Sequence, residues 1–189
     1  MNLVSRVGLL ALLVGVLGGC GSAWKVVRVS GPPSALTSVT DVAVAFDYSQ
    51  MIIEGKYQEK AWLDVKTAED PKYPETWADL KGRFENAVLN GVRVQYPGAH
   101  MVSSGQGQAV MVVRPQSFQL GKFIPFYNPP TVINANLGFD VGGQITDEIN
   151  VTRMYPASVT QPSVFNHIGH VGDGIGRLGG AFLESRRGK

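Results

Sequence analysis

The sequence has 189 residues, of which 44% are hydrophobic and 17% charged, and its formal net charge at pH 7 is +2. This length fits one domain with enough apolar surface to build a core. The near balance of 17 basic and 15 acidic residues argues against a nucleic-acid-binding protein, which carries a basic face.

The first 19 residues have the pattern of a secretory signal peptide. One basic residue precedes an apolar run at residues 7–17, which at about 11 residues is shorter than the roughly 20 that a membrane-spanning helix needs. The end of the segment, Leu17-Gly18-Gly19-Cys20, resembles the lipobox of bacterial lipoproteins. That resemblance implies cleavage before Cys20 and a lipid on Cys20. The resemblance also implies sorting to the outer membrane, because the residue after Cys20 is Gly21 and not an Asp.

Cys20 is the single cysteine of the chain, so an intramolecular disulfide is excluded. Several acyl chains hold a protein firmly to a membrane, and the alternative is an ordinary secreted protein with one unpaired cysteine. Residues 20–40 are predicted to form a lipidated tether, with a short strand at residues 24–29. Residues 41–189 are predicted to form a single globular domain in the periplasm or at the cell surface, where ATP and NAD are scarce.

The domain reads as strand, helix, strands and helix from its apolar periodicity. The predicted elements are a strand within residues 39–48, helices at 54–66 and 76–90, strands at 109–113, 117–120, 132–139 and 141–152, and a helix at 164–185. Thr76 and Gly91 have the residue types of an N-cap and a C-cap for the second helix, and Pro71 and Pro74 indicate a loop before it. This order predicts an α+β fold with a mostly antiparallel sheet and helices packed on it.

The element order, the lipobox and the glycine-rich last helix together resemble a group of periplasmic lipoprotein domains. The group includes the curli-export pore lipoprotein and the outer-membrane activators of penicillin-binding proteins. Two short pieces carry the resemblance, VTDVAVAFDY at residues 39–48 and GDGIGRLGGAFLESRR at residues 172–187. The resemblance implies a role in the cell envelope and assigns no functional residues.

The last helix contains Gly174, Gly176 and Gly179, a literal G-x-G-x-x-G. A dinucleotide-binding loop needs a strand before it and an acidic residue about 20 positions later. Here the preceding residues make a poor strand and the sequence ends 10 residues after Gly179, so no nucleotide cofactor is expected. Gly172, Gly176 and Gly180 recur every four residues and share one helix face. They predict a close-packing seam against the sheet, or alternatively against another copy in a homo-oligomer.

A zinc site is the first chemical candidate that the sequence offers. His167 and His170 lie three residues apart, and His100 or Asp173 would have to supply a third ligand. A lone pair of histidines is more typical of a surface pair, so no metal site is predicted.

Two carboxylate pairs are the second candidate. Glycosidases use two acids about 5–9 Å apart, but Asp147 and Glu148 are neighbours on a strand and point to opposite faces. Glu69 and Asp70 lie together in a predicted loop, and nothing in the sequence brings either pair to a shared site. No catalytic residue is therefore assigned.

Phe123, Phe126 and Tyr127 stand beside three prolines in KFIPFYNPP, residues 122–130. This loop either folds onto the core or offers exposed aromatic rings to a partner. The sequence as a whole predicts a non-catalytic, outer-membrane-anchored lipoprotein that binds a protein partner as an assembly or scaffold component of an envelope machine. The alternatives are a periplasmic hydrolase and a glycan-binding module.

Overall fold

Three helices and eight strands follow one another in the part of the chain that this computed structural model describes, residues 23–121, 128–157 and 163–187. The helices are α1 (Glu59–Glu69), α2 (Tyr73–Arg93) and α3 (Val164–Arg186), and a 3-10 turn covers Val102–Ser104. The strands are β1 (Lys25–Arg28), β2 (Val42–Phe46), β3 (Ile52–Ile53), β4 (Tyr57–Gln58), β5 (His100–Met101), β6 (Ala109–Gln119), β7 (Thr131–Val141) and β8 (Gln144–Tyr155).

The strands form one mixed sheet with the order β1-β8-β7-β6-β2-β5, and the short β3 and β4 extend it beside β6. The long strands β6, β7 and β8 make an antiparallel meander, and β1 pairs with β8 in the antiparallel sense. β2 is parallel to both of its neighbours, β5 and β6. The predicted α+β fold with a mostly antiparallel sheet is confirmed.

The core lies between one face of the sheet and the helices α2 and α3. Alternate residues of β7 face this core, and Leu137 and Phe139 have no exposed surface, as a period of two predicts. Phe182 of α3 stacks on Phe139 with ring centroids 5.0 Å apart. Phe84 of α2 meets Phe46 of β2 edge to face at 5.9 Å. The apolar stripe of the second helix, which includes Trp77, Leu80, Phe84 and Val88, is therefore buried.

The first helix starts later than the sequence predicts. Residues 54–58 belong to the β3–β4 hairpin, because Glu54 and Gly55 have positive φ angles of 53° and 72°, which an α-helix does not contain. Trp62 is the buried residue of α1, whereas Val65, three residues later, is 43% exposed. Trp62 therefore supplies the main buried apolar contact between α1 and the core.

The second helix is longer at both ends than predicted. It begins at Tyr73 with Pro74 in its first turn, where a proline removes no intrahelical donor, so Thr76 lies inside the helix rather than at its cap. Gly91 is likewise an interior, buried residue and not a C-cap. The two strands predicted at residues 109–120 form the single strand β6, which carries a bulge next to Pro115.

The N-terminal segment joins the domain upstream of the predicted boundary at residue 41. The predicted strand at residues 24–29 exists as β1, and Trp24 packs edge to face against Phe182 at 5.8 Å. Leu36 and Val39 are buried. Residues 24–40 therefore belong to the folded unit and do not form a free tether.

Candidate functional site

A pocket of about 520 Å³ opens at the carboxyl end of β2. The chain leaves β2 through α1 and α2, returns to β5 on one side of β2 and then continues to β6 on the other, with both strands parallel to β2. A change of direction of this kind leaves a crevice outside the carboxyl ends of parallel strands, where ligands commonly bind. The lining of this β2 pocket includes Tyr48, Ser49, Met51, Gln58, Glu59 and Leu63.

A polar network closes the inner wall of the β2 pocket. The Oε1 atom of Glu59 accepts hydrogen bonds from Trp77 Nε1 at 2.7 Å and from Lys81 Nζ at 2.6 Å. The Tyr48 hydroxyl donates to Glu85 Oε1 at 2.9 Å, and Lys81 Nζ lies 5.2 Å from the centre of the Tyr48 ring. Glu59 begins α1, whereas Trp77, Lys81 and Glu85 belong to α2. The hydrogen bonds of Glu59 therefore connect α1 to α2.

Tyr48 is the titratable group whose protonation this environment shifts most clearly. Burial, and then the negative charges of Glu85 and Glu59, raise the pKa of the Tyr48 phenol well above its ordinary value. The phenol therefore stays neutral and remains a hydrogen-bond donor across the physiological range. The network therefore contains two carboxylates and one ammonium group, and all three are hydrogen-bonded within the protein.

The floor of this region is a continuous chain of aromatic rings. Neighbouring ring centroids are between 4.9 and 6.2 Å apart, and most contacts are edge to face, which is a favourable geometry for aromatic pairs. The rings are, in order, Tyr48, Phe46, Phe84, Phe118, Trp77, Trp62 and Tyr73. This packing holds β2, β6, α1 and α2 together behind the pocket.

The predicted glycine seam packs against α2 rather than against the sheet or a second copy. A methyl group on Gly172 would lie 2.8 Å from the Phe84 carbonyl oxygen, and one on Gly176 would fall on the Val88 carbonyl oxygen. A methyl on Gly180 would meet the Val92 carbonyl oxygen at 3.4 Å. The contacts advance along both helices in the same direction, so α2 and α3 run parallel.

Gly91 of α2 and Gly179 of α3 are two further glycines that lie in close contacts. Gly91 of α2 faces Gly176 directly, since a methyl on Gly91 would lie 3.0 Å from the Gly176 Cα. Gly179 faces the sheet, where a methyl would lie 2.5 Å from Met111 Sδ. The whole G-x-G-x-x-G, from Gly174 to Gly179, lies inside α3. It therefore forms no loop that could cradle a phosphate.

The three histidines are not gathered into one site. His167 is buried, with Nδ1 3.4 Å from Thr131 Oγ1, while His170 is exposed and stacks on Tyr155 at 4.4 Å. His100 belongs to β5 at the far edge of the sheet. Within residues 23–121, 128–157 and 163–187, no three His, Cys, Asp or Glu side chains are grouped as a metal site requires.

Asp147 and Glu148 point to opposite faces of β8, as their strand spacing predicts. Asp147 is fully buried and accepts a hydrogen bond from Ser30 Oγ at 2.8 Å. Arg186 Nε lies 3.3 Å from Asp147 Oδ1 without a directed hydrogen bond. Glu148 instead faces Arg114, with 3.8 Å between Oε1 and Nη1. The pair is therefore structural and its two carboxylates share no site.

The second carboxylate pair lies at the end of α1 and not in a loop of its own. Glu69 is the last residue of that helix and accepts a hydrogen bond from Lys66 Nζ at 2.7 Å. Asp70 is the C-cap residue, and its carboxylate accepts a hydrogen bond from the Lys72 backbone at 3.0 Å. Both carboxylates therefore make hydrogen bonds with residues at the end of the helix.

Four predicted functional residues lie outside the described part of the chain: Cys20, Phe123, Phe126 and Tyr127. Among the described residues, no helix combines the length and the apolar character needed to cross a membrane.

The β2 pocket was not predicted from the sequence. The spacing of Trp77, Lys81 and Glu85, four residues apart on α2, marks a polar-aromatic row beside the buried stripe. That row is the one feature of the sequence that points to the pocket. The partner residue Glu59 is distant in sequence and is brought to the row only by the tertiary fold.

No protein-family model matches the chain, and no curated protein matches it either. Two solved structures with a related backbone are a PelC dodecamer from Paraburkholderia phytofirmans and a variant of that dodecamer from the same organism. The first is 12% identical, with 82% of this chain and 97% of that chain covered and a TM-score of 0.44. The second is 13% identical, with 82% and 96% covered and a TM-score of 0.44.

Proposed function

We propose that this protein is a non-catalytic, lipid-anchored component of a bacterial cell-envelope assembly, held close to the outer membrane by Cys20. The observation that carries the proposal is the pairing of β1 with β8, which starts at Lys25. The five residues from Cys20 to Lys25 span at most about 17 Å when extended. A lipid on Cys20 would therefore keep the edge of the sheet near the bilayer surface, in a fixed position and not on a long tether.

The surface near this anchor supports a role in assembly. Val26, Val27 and Val29 are 50%, 52% and 45% exposed, and Met154 of the adjacent strand β8 is 70% exposed. An exposed apolar edge of a sheet is a favourable contact for another protein chain. We assign this β1–β8 edge, residues 25–29 and 152–155, as the surface that meets a protein partner in the envelope.

The β2 pocket supports binding over hydrolysis. A general acid or base must exchange a proton with its substrate, and the carboxylates here already accept hydrogen bonds inside the protein. Glu59 is engaged by Trp77 and Lys81, and Glu85 by Tyr48. Using Glu59 in a reaction would first break the contacts that join α1 to α2, and using Glu85 would break its contact with Tyr48.

A crosslinking experiment in cells tests the proposal. A photoreactive amino acid at Val27 should capture a defined envelope protein, whereas the same probe at Val65, which is 43% exposed on α1, should not. Radiolabelled palmitate should enter the wild type, and Cys20→Ala should block its incorporation and release the protein from the membrane fraction. Equal palmitate labelling of the Cys20→Ala variant, or identical capture from both probe positions, would contradict the proposal.

A further inference from the structure

A second groove, of about 350 Å³, lies between α2 and α3, and His170 of its lining stacks on Tyr155 at the end of β8. Its lining includes Arg83, Asn86 and Asn90 from α2 and Asn166, Gly169 and His170 from α3. We call it the α2–α3 groove. It shares no lining residue with the β2 pocket and has no part in the proposed anchoring.

The groove exists because the two helices diverge beyond the glycine seam. At Gly172 and Gly176 the helix backbones are in contact, and an added methyl group would meet a carbonyl oxygen of α2. At Gly169, one turn earlier, an added methyl would meet nothing within 4 Å. The floor of the groove is therefore open at Gly169, with room for part of a ligand.

Two rows of hydrogen-bonding side chains border this floor. Asn86 and Asn90 are one turn apart on α2, and Asn166 and His170 are one turn apart on α3. The three side-chain amides make no hydrogen bond to another residue in the described part of the chain. Each amide can both donate and accept, as sugar hydroxyl groups also do. Paired amides at this spacing are therefore suited to neighbouring hydroxyl groups of one ring or of successive rings.

The charge of the groove favours an anion. The guanidinium carbon of Arg83 lies 5.0 Å from the centre of the Phe165 ring, a cation–π contact that restricts the orientation of the arginine. The lining contains no Asp or Glu in the described residues. An arginine held in this way recognises a carboxylate through two parallel hydrogen bonds.

We propose that the α2–α3 groove binds an acidic saccharide, such as a hexuronate unit of a glycan. The asparagine amides bind ring hydroxyl groups, Arg83 binds the carboxylate, and the open space above Gly169 receives the ring. A peptide fits less well, because Phe165 is the one large apolar side chain among the described residues of the lining, and peptide recognition relies on pockets for side chains.

Isothermal titration of the purified full-length protein with trigalacturonate, with neutral cellotriose and with a tri-asparagine peptide tests this inference. We expect trigalacturonate to bind about tenfold more tightly than cellotriose, a preference worth one charge-assisted hydrogen-bonded pair, and to weaken as salt is added. Arg83→Gln should remove the preference and retain the weak binding of cellotriose. Tighter binding of the peptide than of either sugar would overturn the inference.

Gly169 provides an independent, steric test. Gly169→Leu should fill the groove and abolish binding of trigalacturonate, while Gly169→Ala should retain it. Gly98→Leu is the matched control, because Gly98 also has nothing within 4 Å of an added methyl and lies outside the groove. Thermal melting of each variant checks that it is folded. Unchanged sugar binding by folded Gly169→Leu, or no binding of either sugar to the wild type, would overturn the inference.

Discussion

Replacing Gly176 with alanine should destabilise the protein, although alanine favours a helix more than glycine does. In an exposed helix the change would stabilise by about 1 kcal/mol. At Gly176 the new methyl group would fall on the Val88 carbonyl oxygen and lie 3.0 Å from the Gly91 Cα. Both neighbours are backbone atoms, so no side-chain rotation relieves the contact and α2 and α3 must separate.

Overpacking costs about 1–3 kcal/mol, and we take the upper end because the methyl group overlaps backbone atoms. The gain in helix propensity of about 1 kcal/mol then leaves a net loss of about 2 kcal/mol. For a protein of this size that corresponds to a fall in Tm of roughly 4–8 °C. Urea unfolding followed by circular dichroism measures the free energy, and calorimetry measures the Tm. Gly176→Leu should be less stable still.

Gly169→Ala is the matched control, because it adds the same methyl group to the same helix where nothing lies within 4 Å. It should be neutral or stabilising by up to about 1 kcal/mol. Gly91→Ala acts on the same contact as Gly176→Ala, so the double variant should show non-additive losses. A Gly176→Ala protein as stable as the wild type would refute the close contact between the helices.

Three further predictions concern stability. Trp77→Ala and Phe84→Ala should each cost about 3–5 kcal/mol in urea unfolding, because both side chains are buried in the aromatic chain and leave cavities; a loss below about 1 kcal/mol would mean that the stripe of α2 is not buried. Asp147→Ala should cost about 3–5 kcal/mol, because it leaves Arg186 without its buried counter-ion, and Asp147→Asn should cost less because Ser30 keeps an acceptor. Since the folded protein raises the pKa of Tyr48, the stability that this phenol contributes is complete below about pH 10. Above that pH the contribution falls by up to about 1.4 kcal/mol per pH unit. Unfolding measured at about pH 9 and at about pH 11 should therefore show a smaller fall in stability for Tyr48→Phe than for the wild type, and an equal fall in both proteins would contradict the raised pKa.

Local sequence patterns predict those parts of the fold that depend on the side chains of a single helix or strand. The alternation that buries Leu137 and Phe139, and the periodic stripe of α2, both reflect the side-chain direction fixed by one element. Helix ends are predicted less well, because Pro74, which lies in the first turn of α2, has the residue type of a loop signal and the interior Gly91 that of a stop signal. Both residues have tertiary or positional roles that the local sequence does not reveal.

The sites depended even more on tertiary structure. The regular spacing of Gly172 and Gly176 identified a packing face, but which element covered it could not be read from one helix. The contact between Glu59 and Lys81 joins two elements across an intervening loop, and the pairing of β1 with β8 joins opposite ends of the chain. Neither contact leaves a periodic pattern in the sequence, so local patterns indicate neither the pocket nor the attachment of the N-terminal segment to the sheet.

The attachment of β1 also has a mechanical consequence. If Cys20 carries the proposed lipid and that lipid is pulled away from the domain, the load falls first on the few residues that pair β1 with β8 and on the hydrogen bond from Arg186 to the Ser30 carbonyl at 2.6 Å. Leu36 and Val39 form a second point of resistance, because they must leave the core. Full detachment of residues 24–40 would release about 55 Å of extended chain. The β1–β8 pairing and the burial of Leu36 and Val39 therefore set the force that the segment resists before this length of chain is released.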